Sequence, residues 1–114
     1  MRVIIAGGRN FGNYELLKSA CDTAFGNLHI EIVSGGAKGA DELAVKYAYE
    51  KGLEVKIVQA DWKRYGRRAG PIRNKEMADY ADTLIAFWDG QSQGTKNMIE
   101  TARSQNLNVI VVGY

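Results

Sequence analysis

Residues 32–44 read IVSGGAKGADELA. A β-branched apolar run ends at Ser34, glycines follow at 35, 36 and 39, and an acidic, alanine-rich stretch with helical spacing begins. Strand, glycine loop and helix in that order form the repeating unit of a parallel α/β sheet. Glycine at this density loses conformational entropy on folding, so the loop needs a close approach or a bound group to justify it.

Working outward, the same order recurs. Five short apolar runs occupy 2–6, 29–33, 54–59, 83–88 and 108–112, and helical periodicity marks about 13–25, 38–51, 71–81 and 95–105. Near-continuous apolar strands alternating with amphipathic helices predict a parallel sheet covered on both faces. Right-handed crossovers leave few windings, and a five-stranded sheet in the order 3-2-1-4-5 is the first choice, with a flavodoxin-like order as its rival. At 114 residues the chain is expected to form one domain, with no internal repeat, linker or low-complexity segment.

Composition removes several function classes. The lone His29 and lone Cys21 exclude an intramolecular disulfide and a zinc site of His and Cys from one chain, and no metal or other cofactor is expected. Cys21 falls on the stripe Leu16, Leu17, Ala20, Cys21, Ala24, Phe25, which marks it as a small buried hydrophobe. No apolar stretch reaches membrane-spanning length and no signal sequence precedes the first strand, so the expected compartment is the cytoplasm, with no membrane partner. Net charge is only +2, but Lys63, Arg64, Arg67, Arg68, Arg73 and Lys75 lie together without an acid among them.

In a parallel sheet every strand-to-helix loop lies on one edge. Those loops are 7–12 (GGRNFG), 34–38 (SGGAK), 60–70 (ADWKRYGRRAG) and 89–94 (DGQSQG), and all four carry glycine, whereas the turns on the opposite edge are ordinary. Ligands of open α/β sheets bind at the strand carboxyl ends where strand order reverses, here between the first and fourth strands. None of the loops is a Walker A or GxGxxG motif. The physics of those motifs still applies, because glycines let amides approach an anion and a helix start adds partial positive charge.

Candidate ligand residues follow loop by loop. The first supplies Gly7, Gly8, Arg9 and Asn10; the second supplies Ser34, Gly35, Gly36, Lys38, Gly39 and Asp41. Ser34 offers a hydroxyl donor or a helix cap. Asp41 suits the helix dipole and equally a ribose hydroxyl. The fourth supplies Asp89, Gly90, Ser92, Gly94 and Thr95, with Thr95 expected as the helix N-cap and Trp88 either core or a base-stacking ring. The third loop exceeds the usual 2–6 residues and interleaves arginines with Trp62 and Tyr65, a composition that suits phosphates and stacked bases or a solvated basic face. Arg73, expected at the start of the third helix, opposes the dipole there and calls for a nearby anion.

The set AGGRNF (6–11), SGGAKGADELA (34–44), YGRRAGPIRNKEM (65–77) and FWDGQSQGTKNMIETA (87–102) resembles the YspA-type, cpYpsA-related branch of the SLOG superfamily. The resemblance spans nearly the whole chain. It implies a Rossmann-like three-layer α/β/α fold, nucleotide or nucleotide-derived ligands, and self-association as a homodimer or higher oligomer. It also implies kinship with the Lonely-guy phosphoribohydrolases and the DNA-processing protein A family.

In the Lonely-guy pattern an Arg-Lys pair stands four residues before a Met, an Ala-Asp follows, and then Gly-Gly-x-Gly-Thr-x-x-Glu. Arg73, Met77, Ala81-Asp82 and Gly94-Thr95 match, but Asn74 replaces the lysine and Met98 stands where the catalytic glutamate belongs. The glycine loop is also two residues longer. Arg73, Asp89 and Glu100 are therefore the catalytic candidates, Asp89 and Glu100 as substitutes for the lost acid. SGGAKGAD and Arg73-Asn74 also resemble the DNA-processing family, which implies a single-stranded DNA partner as an alternative, and Asn74 joins Arg73 among the ligand-binding candidates. The leading expectation is a nucleotide-binding domain, acting as a sensor or sequestering protein. The alternatives are an N-glycosidase acting on nucleoside phosphates or nucleotide-sugars, and a nucleic-acid module using Arg64, Arg67 and Arg68.

Overall fold

A computed structural model describes residues 1–114. Strand β1 (Arg2–Gly7) leads through α1 (Tyr14–Phe25) to β2 (Glu31–Ser34), and α2 (Ala40–Lys51) leads to β3 (Val55–Ile57). A short helix α3 (Trp62–Tyr65) and a 3-10 turn (Gly66–Arg68) precede α4 (Ala69–Tyr80), β4 (Thr83–Trp88), α5 (Gln93–Ser104) and β5 (Asn108–Gly113). All strand pairs are parallel, and the order is β3-β2-β1-β4-β5. The chain thus adopts the Rossmann-like winding expected, and its strand order reverses between β1 and β4. No helix is long and apolar enough to cross a membrane.

Period-two alternation distributes the central strands between two cores. Val3, Ile5, Ile32, Ile85 and Phe87 pack beneath Leu17 and Cys21 of α1 and Ala44 and Tyr47 of α2. Ile4, Val33, Leu84 and Ala86 face Met77 and Ala78 of α4 and Met98 and Ile99 of α5. Each fully buried aliphatic or aromatic side chain stabilises by about 1.5–3 kcal/mol, so these two layers dominate folding. Of the predicted stripe on α1, Leu17, Cys21 and Phe25 are buried, Leu16 and Ala20 are half-buried, and Ala24 is exposed.

Helix starts differ from the sequence expectation in three places. The 60–70 connection is not irregular throughout, because Asp61 caps α3 by accepting the Arg64 amide at 3.1 Å. Helix α4 begins at Ala69, which puts Arg73 more than a turn inside it and not at its dipolar start. The N-cap of α5 is Ser92, not Thr95: Ser92 Oγ accepts the Thr95 amide at 3.4 Å, and the Thr95 hydroxyl lies 3.1 Å from it within the first turn.

Candidate functional site

A cleft of about 830 Å³ opens along the carboxyl edge of the sheet. This is within the usual size of small-molecule sites, roughly 300–1,000 Å³. It lies where the reversal of strand order leads one to expect it, with Gly7 to Asn10 and the 91–95 segment flanking the β1–β4 crevice.

At its centre is Arg73. Burial pushes its pKa down, Asp41 opposes that shift, and Arg9 adds to it. Its Nη1 donates to the Gly35 carbonyl at 2.9 Å and its Nε to Asn74 Oδ1 at 3.1 Å, leaving Nη2 without an acceptor in the chain. Asn74 is itself buried and donates to Asn97 Oδ1 at 2.9 Å and the Gly94 carbonyl at 3.4 Å. The guanidinium is thereby held between the β2 loop and the start of α5. Glycine at position 35 lets the guanidinium come this close, since a Cβ there would displace it and would lie 2.8 Å from Asp41 Oδ2.

Asp41 lines the cleft beside this arginine. Burial raises its pKa, while the Ala37 amide, then Arg73 and Arg9, pull it back. Arg9 and Arg73 act on this one buried carboxylate through their fields, without a direct ion pair, and two arginines against one carboxylate leave the centre of the cleft cationic. Asp89 behaves differently. Its Oδ1 accepts the Gln91 and Ser92 amides at 2.8 Å each, and these bonds, that of Ser92 first, hold its pKa below the usual carboxylate range. It closes the 89–92 turn as an ionised carboxylate.

The glycine loops divide their work in a way the sequence did not reveal. In the second loop, Gly36 donates to Ser34 Oγ, Ala37 to Asp41 Oδ2, Gly39 to Glu42 Oε1 and Ala40 to the Gly8 carbonyl. This loop mostly holds itself together. Gly39, at φ 79°, also packs against the Gly8–Arg9 backbone, where no Cβ fits. In the first, second and fourth loops, the cleft-lining amides without an acceptor in the chain are those of Gly8, Arg9, Asn10, Gly35, Gln93 and Gly94. The anion-facing amides therefore come mainly from the first loop and the start of α5.

Of the other expected site residues, Gly36, Ser92 and Thr95 also line the cleft. Ser34, Lys38, Gly39, Gly90 and Glu100 do not. The Ser34 hydroxyl is fully buried and donates to the Asp41 carbonyl at 3.1 Å, so it supports the loop. Glu100 is exposed on α5 away from the cleft. Met98, at the position of the Lonely-guy glutamate, is buried and contributes to the cleft wall. Trp88 does not face the cleft; its Nε1 donates to the Ser92 carbonyl at 3.1 Å and pins the turn.

The structure adds residues that sequence reasoning left out of the ligand set. Gln59, Trp62 and Arg67 line one end of the cleft, and Tyr114, beyond β5, lines the other. Trp62 and Arg67 had a signal in the aromatic and basic composition of their loop. Tyr114 had none, because its ring packs edge-on at 4.7 Å against Phe11, more than a hundred residues away.

This fold, with this cleft at its switch point, defines a Rossmann-like domain of the SLOG type. The chain belongs to the YspA, cpYpsA-related SLOG family, which residues 1–65 match. It is 33% identical over 123 residues to the gene 61 protein of Mycobacterium phage D29, covering 98% of this chain and 96% of the phage protein. Among solved structures, DNA processing protein A of Streptococcus pneumoniae aligns with a TM-score of 0.80 at 20% identity, over 99% of this chain and 50% of that protein. The Helicobacter pylori DNA processing protein A, solved for its single-stranded DNA binding mode, gives 0.74 at 19% identity, over 100% and 66% of the two chains. The protein TM1055 gives 0.69 at 20% identity, over 95% and 71%. The chain thus spans half the length of the pneumococcal protein, and at these identities the likeness to solved structures is one of fold.

Proposed function

We propose that this protein binds a nucleotide or nucleotide-derived ligand in the cleft at the carboxyl edge of its sheet, as a sensor or sequestering domain. The observation that carries the reading is the Arg73 guanidinium, half-buried and with Nη2 free, set among the unpaired amides of Gly8, Gly35 and Gly94. Amides and an arginine fork converging in a partly dehydrated cleft suit phosphate oxygens. Asp41 is the ribose-facing group of this reading, and no metal is needed to neutralise the phosphate.

Cleavage of the ligand has less support, because Met98 stands where the Lonely-guy pattern has its acid, Asp89 is tied into its turn and Glu100 lies outside the cleft. A nucleic-acid partner is the second reading, favoured by the exposed Arg64, Arg67 and Arg68, of which Arg67 lines the cleft. The protein is read as acting in the cytoplasm and as a homodimer or larger assembly. The test is a thermal-shift screen against nucleoside mono-, di- and triphosphates, with chromatography of each hit for released base. Ligand at about 100 times its Kd stabilises by about 2.7 kcal/mol, several degrees in a domain of this size. A flat screen, together with salt-dependent binding of oligonucleotides, would replace this reading with the second.

A further inference from the structure

Three of the six tyrosines use their hydroxyls inside the fold. Tyr14 donates to Glu50 Oε1 at 2.6 Å, Tyr47 to Asp22 Oδ1 at 2.7 Å, and Tyr80 to both carboxylate oxygens of Glu31. Tyr49 stands almost wholly in solvent, and the Tyr65 ring lies under the Arg64 guanidinium. Tyr114 fits neither pattern. It lines the cleft, and its hydroxyl has no hydrogen-bond partner in the chain.

The place of that hydroxyl is set from two directions. Strand β5 runs in register with β4, Gly113 opposite Trp88, so the next residue reaches the carboxyl edge level with Asp89. The ring then packs edge-on against Phe11 at 4.7 Å, and Phe11 stacks at 5.0 Å on Phe87 in the core. Phe11 belongs to the first glycine loop, where its amide donates to the Gly8 carbonyl at 3.1 Å. The phenol oxygen comes to rest over Gly8, and a Cβ there would lie 2.7 Å from it, so glycine lets it come this close. The amides of Gly8, Arg9 and Asn10 have no acceptor in the chain, so a free hydroxyl and three free amides share this part of the cleft wall. Burial first, and then the Asp89 carboxylate, raise the phenol's pKa. The group therefore stays a neutral donor at and above neutral pH, and it adds no negative charge beside a bound anion.

We infer that Tyr114 is a phosphate-binding residue, its hydroxyl donating to the phosphate group that the Gly8 amide also faces. This rests on the nucleotide reading above and deepens it, with a donor from outside the segment that matches the family, residues 1–65. The test is titration of the whole chain with AMP, GMP, CMP and UMP by calorimetry, and with inorganic pyrophosphate by phosphorus NMR, which reads millimolar binding. Tyr114→Phe keeps the ring on Phe11 and removes only the hydroxyl. It is expected to raise the Kd of pyrophosphate and of whichever monophosphate binds by the same factor, about 10-fold, the low end for a bond to a charged acceptor because the tyrosine is partly exposed. The melting temperature is expected to stay where it is. Unchanged affinities in Tyr114→Phe, with a loss only in Tyr114→Ala, would make the residue a prop for Phe11 and overturn the inference. A Tyr114→Phe loss for the monophosphate but not for pyrophosphate would put the hydroxyl on the sugar or the base and overturn it too, as would monophosphate binding with none by pyrophosphate. All three outcomes leave the nucleotide reading standing. Pyrophosphate binding without any monophosphate would end the nucleotide reading, and the Tyr114→Phe ratio for pyrophosphate would then decide this assignment by itself. No binding by any of the five compounds overturns both.

Discussion

At the scale of single residues, the site turns on how Arg73 is held. Asn74 takes its Nε and ties it to Asn97 and Gly94, so a neutral amide replaces the lysine of the Lonely-guy pattern with a positioning role. Arg73→Ala is expected to weaken ligand binding by about 10- to 150-fold, the worth of charge-assisted hydrogen bonds of ~1.5–3 kcal/mol. Arg73→Lys should recover little, because the fork geometry is lost. A calorimetric Kd unchanged in Arg73→Ala would dismiss the site. Asp41 gives a pH signature. Burial raises its folded-state pKa, so its protonated form favours the fold and stability falls as pH rises through that value. Asp41→Asn mimics the protonated form and still accepts the Ala37 amide; it is expected to melt above the unchanged protein at pH 7, the gap closing toward acid. A gap that widened toward acid would reverse the assignment. Cys21 provides a third check. Burial pushes its thiol pKa up to about 12, so it should resist alkylation at pH 8 until the protein unfolds. Arg73 was legible in the sequence through its spacing to Met77. Asn74 was expected to touch ligand, whereas its side chain is taken up by Arg73, Gly94 and Asn97; that role was not legible, since nothing local shows that α4 and α5 meet there.

At the scale of elements, the 60–70 connection shows what propensity alone misses. A four-residue helix has no stability of its own and depends on its cap and on what it rests against. Asp61 supplies the cap, and Trp62 lies beside Gly70 at the start of α4. Asp61→Ala is expected to cost about 1 kcal/mol locally. Because α3 buries no residue fully, global melting should barely move while affinity for the cleft ligand falls. A loss of melting temperature as large as the local cost predicts would instead make α3 part of the cooperative core. The long helices and β4 were readable because their periodicity runs through whole turns and an unbroken apolar strand. Their first residues were not, because Ser92 and Thr95 are both good caps and only the turn closed by Asp89 decides between them.

At the scale of the whole molecule, alternation of element types gave the class of sheet, but the preference for 3-2-1-4-5 over a flavodoxin-like order had no local residue behind it. The placement of glycine on one edge located the cleft independently of that order. The two outer strands differ in a way that bears on assembly. β3 is three residues long and carries Lys56, features that discourage pairing with another chain. β5 is six residues long, reads NVIVVG without a charge or proline, and leaves Ile110 and Val111 partly exposed. An uncharged apolar edge of that length is a template for another strand unless something covers it. A second copy of this chain is the simplest cover, which places the expected homodimer contact on β5. Light scattering should therefore report at least two chains for the unchanged protein and one for Val111→Lys, whose charge on the edge strand opposes pairing. Since Val111 is already partly exposed, folding should survive the change, and an unaltered circular dichroism spectrum would show that only association was lost. A single-chain mass for the unchanged protein at working concentration would mean that β5 is tolerated as a free edge.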